Sequence, residues 1–197
     1  MPLAQRKITE ADILLDAEYN AKRTDLRAEA IAIKRNRRIE VGPFATFHFE
    51  NFQTMWLQVQ EMLRIEKGGA EQIPGELEAY NPLIPQGSEL IATLMLEIED
   101  PVRRNNVLLT LGGIEESAFI DVGTTRIKAT PTEYDERTTP EGKTSSVHWL
   151  RFVFAPAQID AFRKGTERVV LGFSHPNYGH MAVVPDSVRQ ELAKDFA

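Results

Sequence analysis

The chain has 197 residues, 42% of them hydrophobic and 26% charged, with a net charge of −6 and a mean hydropathy of −0.30. These values suit one folded domain over residues 1–197 and argue against disorder, a bilayer span and a nucleic-acid binder. There is no cysteine, which excludes disulfides, thiolate nucleophiles and cysteine-held zinc or iron–sulfur clusters.

The first residues, MPLAQRKITEADILL, lack the apolar run and small-residue cleavage site of a secretory signal. No apolar run approaches the length of a membrane helix. The expected location is the cytoplasm, with no membrane partner.

Thr9 and Asp12 form an imperfect capping box at a helix start. Residues 17–37 contain no Pro or Gly and are rich in Ala, Glu, Lys, Arg and Leu, which predicts a long helix. Leu26, Ala30 and Ile33 supply its apolar stripe. Residues 1–37 are therefore expected as a helical N-terminal region, and 38–197 as a mixed α+β body.

FATFHF (44–49) alternates like a strand, with His48 on the face opposite Phe47 and Phe49. Asn51 is the expected N-cap of a helix over 52–67, which Gly68–Gly69 ends. A short helix is expected around 70–80, interrupted by Pro74–Gly75, and then a proline-set loop over 81–87. A strand over 89–100, a short helix over 102–113 and a hairpin over 118–130 turning at Gly123 follow. Next come a polar loop over 131–145, a strand over 146–154 and a short helix opened by Pro156. Arms 168–175 and 180–184 form a last hairpin, and Asp186 caps a terminal helix. The expected class is α+β: a long N-terminal helix region followed by a mainly antiparallel sheet with interspersed short helices.

The segment FSHPNYGH (173–180) holds two of the four histidines, His175 and His180, around the turn formers Pro176, Asn177 and Gly179. If they face each other, Phe173 faces Ala182 and Leu171 faces Val184. Both rings then lie on an apolar, inward face. His148 shares a face with Leu150, Phe152 and Phe154, so it also points inward. His148, His175 and His180 thus form a candidate set for a divalent metal such as zinc or iron. The plainer alternative is that each ring is a satisfied core or turn residue. Glu50, Glu61 and Glu66 flank the Trp56 helix and are possible carboxylate ligands, Glu61 and Glu66 in support of the histidines, although the solvated side of that helix explains them as well. Tyr178 at the turn tip is a possible ligand cover, or simply an exposed turn tyrosine.

Seven basic residues lie between Lys22 and Arg38. Lys34, Arg35, Arg37 and Arg38 read either as a solvated helix end suited to the helix dipole or as an anion or partner site. EGKTSS (141–146) resembles the end of a phosphate loop, but Arg137 stands where the first glycine is needed and a strand follows. A polar turn explains it. No HExxH, GxGxxG or GxSxG occurs.

KRNRRIEVGP, FENFQTMWLQVQEMLRIEKGG, YNPLIPQG, ERTTPEGKTSSVHW and HPNYGHMAV together resemble a bacterial domain-of-unknown-function family, number 3501, over almost the whole chain. The resemblance implies no activity or catalytic residue. It does imply a setting beside rubrerythrin-like proteins and iron–sulfur or flavin oxidoreductases, and so a link to redox or peroxide stress. Two functions follow as expectations. One is a metal- or cofactor-binding accessory protein with such an oxidoreductase as partner. The alternative is a non-catalytic anion- or protein-binding assembly module using Lys34–Arg38 and the loops 81–87 and 131–145.

Overall fold

A computed structural model describes residues 6–132 and 138–197. Eight antiparallel strands form one sheet in the order β1-β2-β3-β6-β5-β4-β7-β8. They are β1 (Arg38–Val41), β2 (Ala45–Phe49), β3 (Glu89–Leu96), β4 (Ala118–Val122), β5 (Thr125–Pro131), β6 (Val147–Val153), β7 (Val169–Phe173) and β8 (Met181–Val183). Among the described residues six α-helices accompany them: α1 (Asp16–Arg35), α2 (Phe52–Glu66), α3 (Ile73–Tyr80), α4 (Pro101–Leu108), α5 (Pro156–Lys164) and α6 (Asp186–Leu192).

The expected α+β body behind a helical N-terminal region is corrected by this arrangement. The sheet curls until its end strands, β1 and β8, bring Cα atoms within 8 Å of each other, so the architecture is a nearly closed barrel. Residues 6–15 are not part of a long helix. The Thr9–Asp12 box closes only a 3₁₀ turn over Glu10–Asp12, and α1 begins at Asp16. Only Tyr19 and Ala30 of α1 are buried, so this helix lies on the outside of the fold.

Alternation fills the barrel. Phe47 and Phe49 of β2, Leu90, Ala92 and Leu94 of β3, Leu150 and Phe152 of β6, and Leu171 and Phe173 of β7 form one core. Period-two strands point these side chains to a single face. The outward face of β3 and β6 is buried as well. Ile91 packs with Met55, Val59 and Leu63 of α2 and with Ile8, Leu83 and Ile84 in a second cluster that Trp149 borders. Burying both faces of a strand demands an apolar run, and ELIATLML supplies one. Helix α2 starts where the sequence places it. Asn51 Oδ1 accepts from Thr54 N at 3.0 Å and Thr54 Oγ1 accepts from Asn51 N at 2.9 Å.

No ladder pairs β1 with β8, so side chains close the seam at both ends. At one end Arg37, 1% exposed, donates from Nε to Phe49 O at 3.0 Å and from Nη2 to Glu50 O at 3.0 Å and to Asp195. At the other end the Tyr178 hydroxyl donates to Val41 O at 2.8 Å and accepts from Ala45 N at 3.1 Å and Phe44 N at 3.3 Å. Gly42 sits under this second clasp with φ of 73°; a Cβ there would lie 2.6 Å from His180 Cγ and 2.7 Å from Tyr178 Oη.

The last hairpin runs in a different register from the expected one. Leu171 faces Ala182, not Val184, and His175 bridges Tyr178, not His180. The turn is tighter than expected, with only Pro176 and Asn177 between the bridged residues. Tyr178 is therefore drawn inward, 2% exposed, instead of standing at an exposed tip.

Replacing Tyr178 by Phe keeps the ring packing on Phe44 and Phe173 but leaves buried backbone groups of β1 and β2 unpaired. Chemical denaturation of Tyr178→Phe should show a loss of about 1–3 kcal/mol. An unchanged midpoint would mean that the hydroxyl does not hold the seam.

Candidate functional site

The predicted metal ligands fall in three separate surroundings. His148 is 1% exposed inside the barrel end. Its Nε2 lies 3.0 Å from Ser145 O and 3.2 Å from Thr144 Oγ1, and its Nδ1 lies 3.7 Å from Glu115 Oε2. A carbonyl only accepts, so Nε2 carries the proton. The His175 ring uses both nitrogens locally. Nε2–H donates to Gly112 O at 3.2 Å and Nδ1 accepts from Asn177 N at 3.2 Å. His180 is exposed, with its ring 4.5 Å from that of Tyr178 above Gly42. Among the described residues no three of His, Asp and Glu gather as a metal site. The metal set His148, His175 and His180 is thus not assembled among the described residues: the hairpin register separates the last two, and carbonyls take the ring protons of His148 and His175.

The supporting residues are likewise engaged elsewhere. Glu61 pins α1 to α2, accepting from Arg23 Nε and Nη2, each at 2.8 Å, and from the Tyr19 hydroxyl at 2.5 Å. Arg23 foremost, with Tyr19, pulls the Glu61 carboxyl down to about 2. Burial, with Glu61 beside it, raises the Tyr19 hydroxyl well above its usual value. Glu66 is exposed and accepts from Gln72 Nε2 at 2.7 Å.

The basic run does not form one patch. Arg37 is buried in the seam, and Arg38 pairs with Glu40 at 3.0 Å and Glu97 at 3.6 Å. Arg35 borders the seam groove, and Lys34 borders a different cavity. The 81–87 loop is largely inside, with Leu83, Ile84 and Pro85 buried. In the 131–145 loop, residues 133–137 lie outside the described residues. Lys143 O accepts from Thr139 N at 2.8 Å and Thr138 bridges Thr144, so the EGKTSS segment closes a polar turn.

The cavity beside Lys34 is the site that the fold builds most fully. Its volume is about 330 Å³, within the span of small-molecule pockets. One row of the sheet, His48 of β2, Thr93 of β3 and Trp149 of β6, forms its floor, because these residues are direct register partners. Met55 and Gln58 of α2 wall it, with Tyr80 and Leu83 from the end of α3 and the turn after it.

Glu50, 6% exposed, stands at its edge. Its Oε1 accepts from Thr93 Oγ1 at 2.7 Å and its Oε2 from Thr54 Oγ1 at 2.6 Å. Two hydroxyl donors compensate the burial of that carboxylate. His48 is treated differently. Its Nε2 is buried and has no hydrogen-bond partner among the described residues. Burial foremost, reinforced by Arg38 and Lys34 and opposed by Glu50, holds the imidazole below its usual value, so the ring is neutral. Burial also raises the Tyr80 hydroxyl.

A larger, open groove of about 680 Å³ follows residues 6–10, α3 and Arg151. Two of its polar side chains, Asn81 and Gln86, are taken up in holding the chain at residues 6–8. Asn81 binds Ile8 through both N and O, at 2.7 and 3.0 Å, and Gln86 Nε2 donates to Arg6 O at 2.8 Å. The groove is thus partly the seat of residues 6–10.

Alternation places His48 opposite Phe47 and Phe49, which reads as solvent-facing, and Glu50 reads as the wet flank of α2. Both readings fail because α2 folds back over the outer face of the sheet. The available signal was Ile91 and Met95 on the second face of β3, apolar residues opposite the Leu90–Ala92–Leu94 face.

The sequence matches the family described as "Protein of unknown function (DUF3501)" over residues 7–196, and the chain belongs to that family. A solved structure, described as a novel protein of unknown function from Burkholderia pseudomallei K96243, is 34% identical. The match covers 97% of this chain and 100% of that one, with a TM-score of 0.89. No curated protein matches the sequence. Among the described residues no helix is long and apolar enough to cross a membrane.

His48 gives a pH test. In the unfolded chain an imidazole takes a proton near its ordinary value of 6.5, whereas the folded chain resists protonation there. Stability should therefore be full above about pH 6.5 and fall as the pH drops below it, until the folded ring also protonates. Denaturation against pH should show this slope in wild type and a flatter one in His48→Gln. A His48 ring titrating at or above 6.5 by NMR contradicts the assignment.

Proposed function

We propose that this protein is a ligand-binding accessory protein that holds a small organic molecule or cofactor between the outer face of its barrel and helix α2. The observation carrying this reading is a cavity of about 330 Å³ floored by His48, a ring whose Nε2 is buried without a partner among the described residues. A polar atom buried without a partner costs about 1–3 kcal/mol, a cost that any partner reduces. A bound molecule would satisfy it.

The redox or peroxide-stress setting, with an iron–sulfur or flavin oxidoreductase or a rubrerythrin-like protein as partner, belongs to this proposal through the family resemblance. A zinc or iron centre at His148, His175 and His180 does not, because those rings serve three different parts of the fold. In this reading Trp149, Tyr80, Met55 and Leu83 provide an adaptable apolar surface, while His48 fixes orientation.

A plug at the rim tests the reading. Met95 borders the cavity and is 36% exposed, so Met95→Trp can fill the mouth without entering the barrel core. In a thermal-shift screen of small acids, amides and amines, compounds that raise the wild-type melting temperature should not raise that of Met95→Trp. Equal shifts in both proteins would place the binding elsewhere and remove this reading.

A further inference from the structure

We propose, resting on the ligand-binding reading above, that the cavity takes a compact aromatic monocarboxylate with its carboxylate at Lys34 and His48 and its ring against Trp149. The argument starts from the two charges that border the cavity. Glu50 is an anion whose oxygens already accept the Thr54 and Thr93 hydroxyls. What it offers an incoming ligand is negative potential without a free donor, so a carboxylate is repelled from that side.

Lys34 is the opposite case. It sits on the last turn of α1, is exposed, and makes no ion pair among the described residues. It is close enough to His48 to oppose protonation of that ring. The unpaired cation and the His48 ring border the same space, and Nε2 of that ring lies just beneath the surface without a partner among the described residues. A neutral imidazole can present Nε2–H, and an ammonium presents three donors. Together they form a charge-assisted donor pair that an anionic acceptor satisfies best, a neutral amide oxygen less well and an ammonium not at all.

The remaining lining selects the body of the ligand. Trp149 and Tyr80 offer ring surfaces, and Met55 and Met95 offer polarizable sulfur that favours aromatic edges. The volume leaves room for one or two rings. The overall field also favours a single negative charge: a multiply charged anion would meet Glu50 as well as a chain of net charge −6.

Three probes of nearly equal shape separate the possibilities: benzoate, benzamide and benzylamine. Each is titrated into wild type and Lys34→Gln while the His48 imidazole and Trp149 indole resonances are followed. Benzoate should shift both resonances in wild type, and Lys34→Gln should weaken it about tenfold, the loss expected for one charge-assisted contact. Benzamide should bind more weakly and respond little to the substitution. If benzamide or benzylamine binds as tightly as benzoate, or if benzoate is indifferent to Lys34→Gln, the carboxylate class is wrong while the cavity remains a binding site. If none of the three moves either resonance, both this inference and the reading beneath it fall.

Discussion

Arg37 is the residue on which the rest of the structure depends. Its guanidinium is buried at the point where β1 begins, where β2 ends and where the chain returns after α6. Burying an arginine is costly unless acceptors surround it. Here Asp195 and two carbonyls of the β2 end accept directly, and Glu191 lies 3.7 Å from Nη1, which has no hydrogen-bond partner among the described residues. Burial foremost raises the Asp195 carboxyl above its usual value, and the Arg37 charge and hydrogen bond oppose that rise. One-sided removal of such a pair leaves a buried charge, at about 3–5 kcal/mol.

The same side chain joins closure to the candidate site. Strands β1 and β8 end the sheet without a ladder, and an edge left open is a liability. Arg37 and Tyr178 close the two ends of that seam with side chains in place of backbone pairs. Through Nη2, Arg37 also holds the carbonyl of Glu50, whose carboxylate then meets Thr54 and Thr93 at the edge of the cavity. Glu50 N completes the anchoring on Ile91 O at 2.8 Å. The wall of the cavity is thus fixed by the interaction that closes the barrel, and the site is built on strands instead of mobile loops.

Some of this was legible in the chain. Asn51 announced α2, Gly123 the β4–β5 hairpin and Pro156 the start of α5, because each depends on chemistry within three residues of itself. The inward face of the barrel followed from strand alternation, and His148 was placed there correctly. What depends on distant partners was not legible. Arg37 looks like one cation among seven until Asp195, 158 residues away, is brought beside it. The hairpin register turned on whether two or four residues make the turn after His175, and the polar types there allow either. His48 and Glu50 were misjudged because alternation assigns a face but does not say what covers it.

The central claim is that Arg37 holds the seam and the cavity wall as one unit, and amide hydrogen exchange in Arg37→Met tests it most directly. Protection should fall together at β1, at Phe49 and Glu50 and in the turn around Asp195, with a change in the His48 ring signal, while the β4–β5 hairpin keeps its protection. Unchanged protection at β1 and Glu50, or an even loss across all eight strands, would contradict the account.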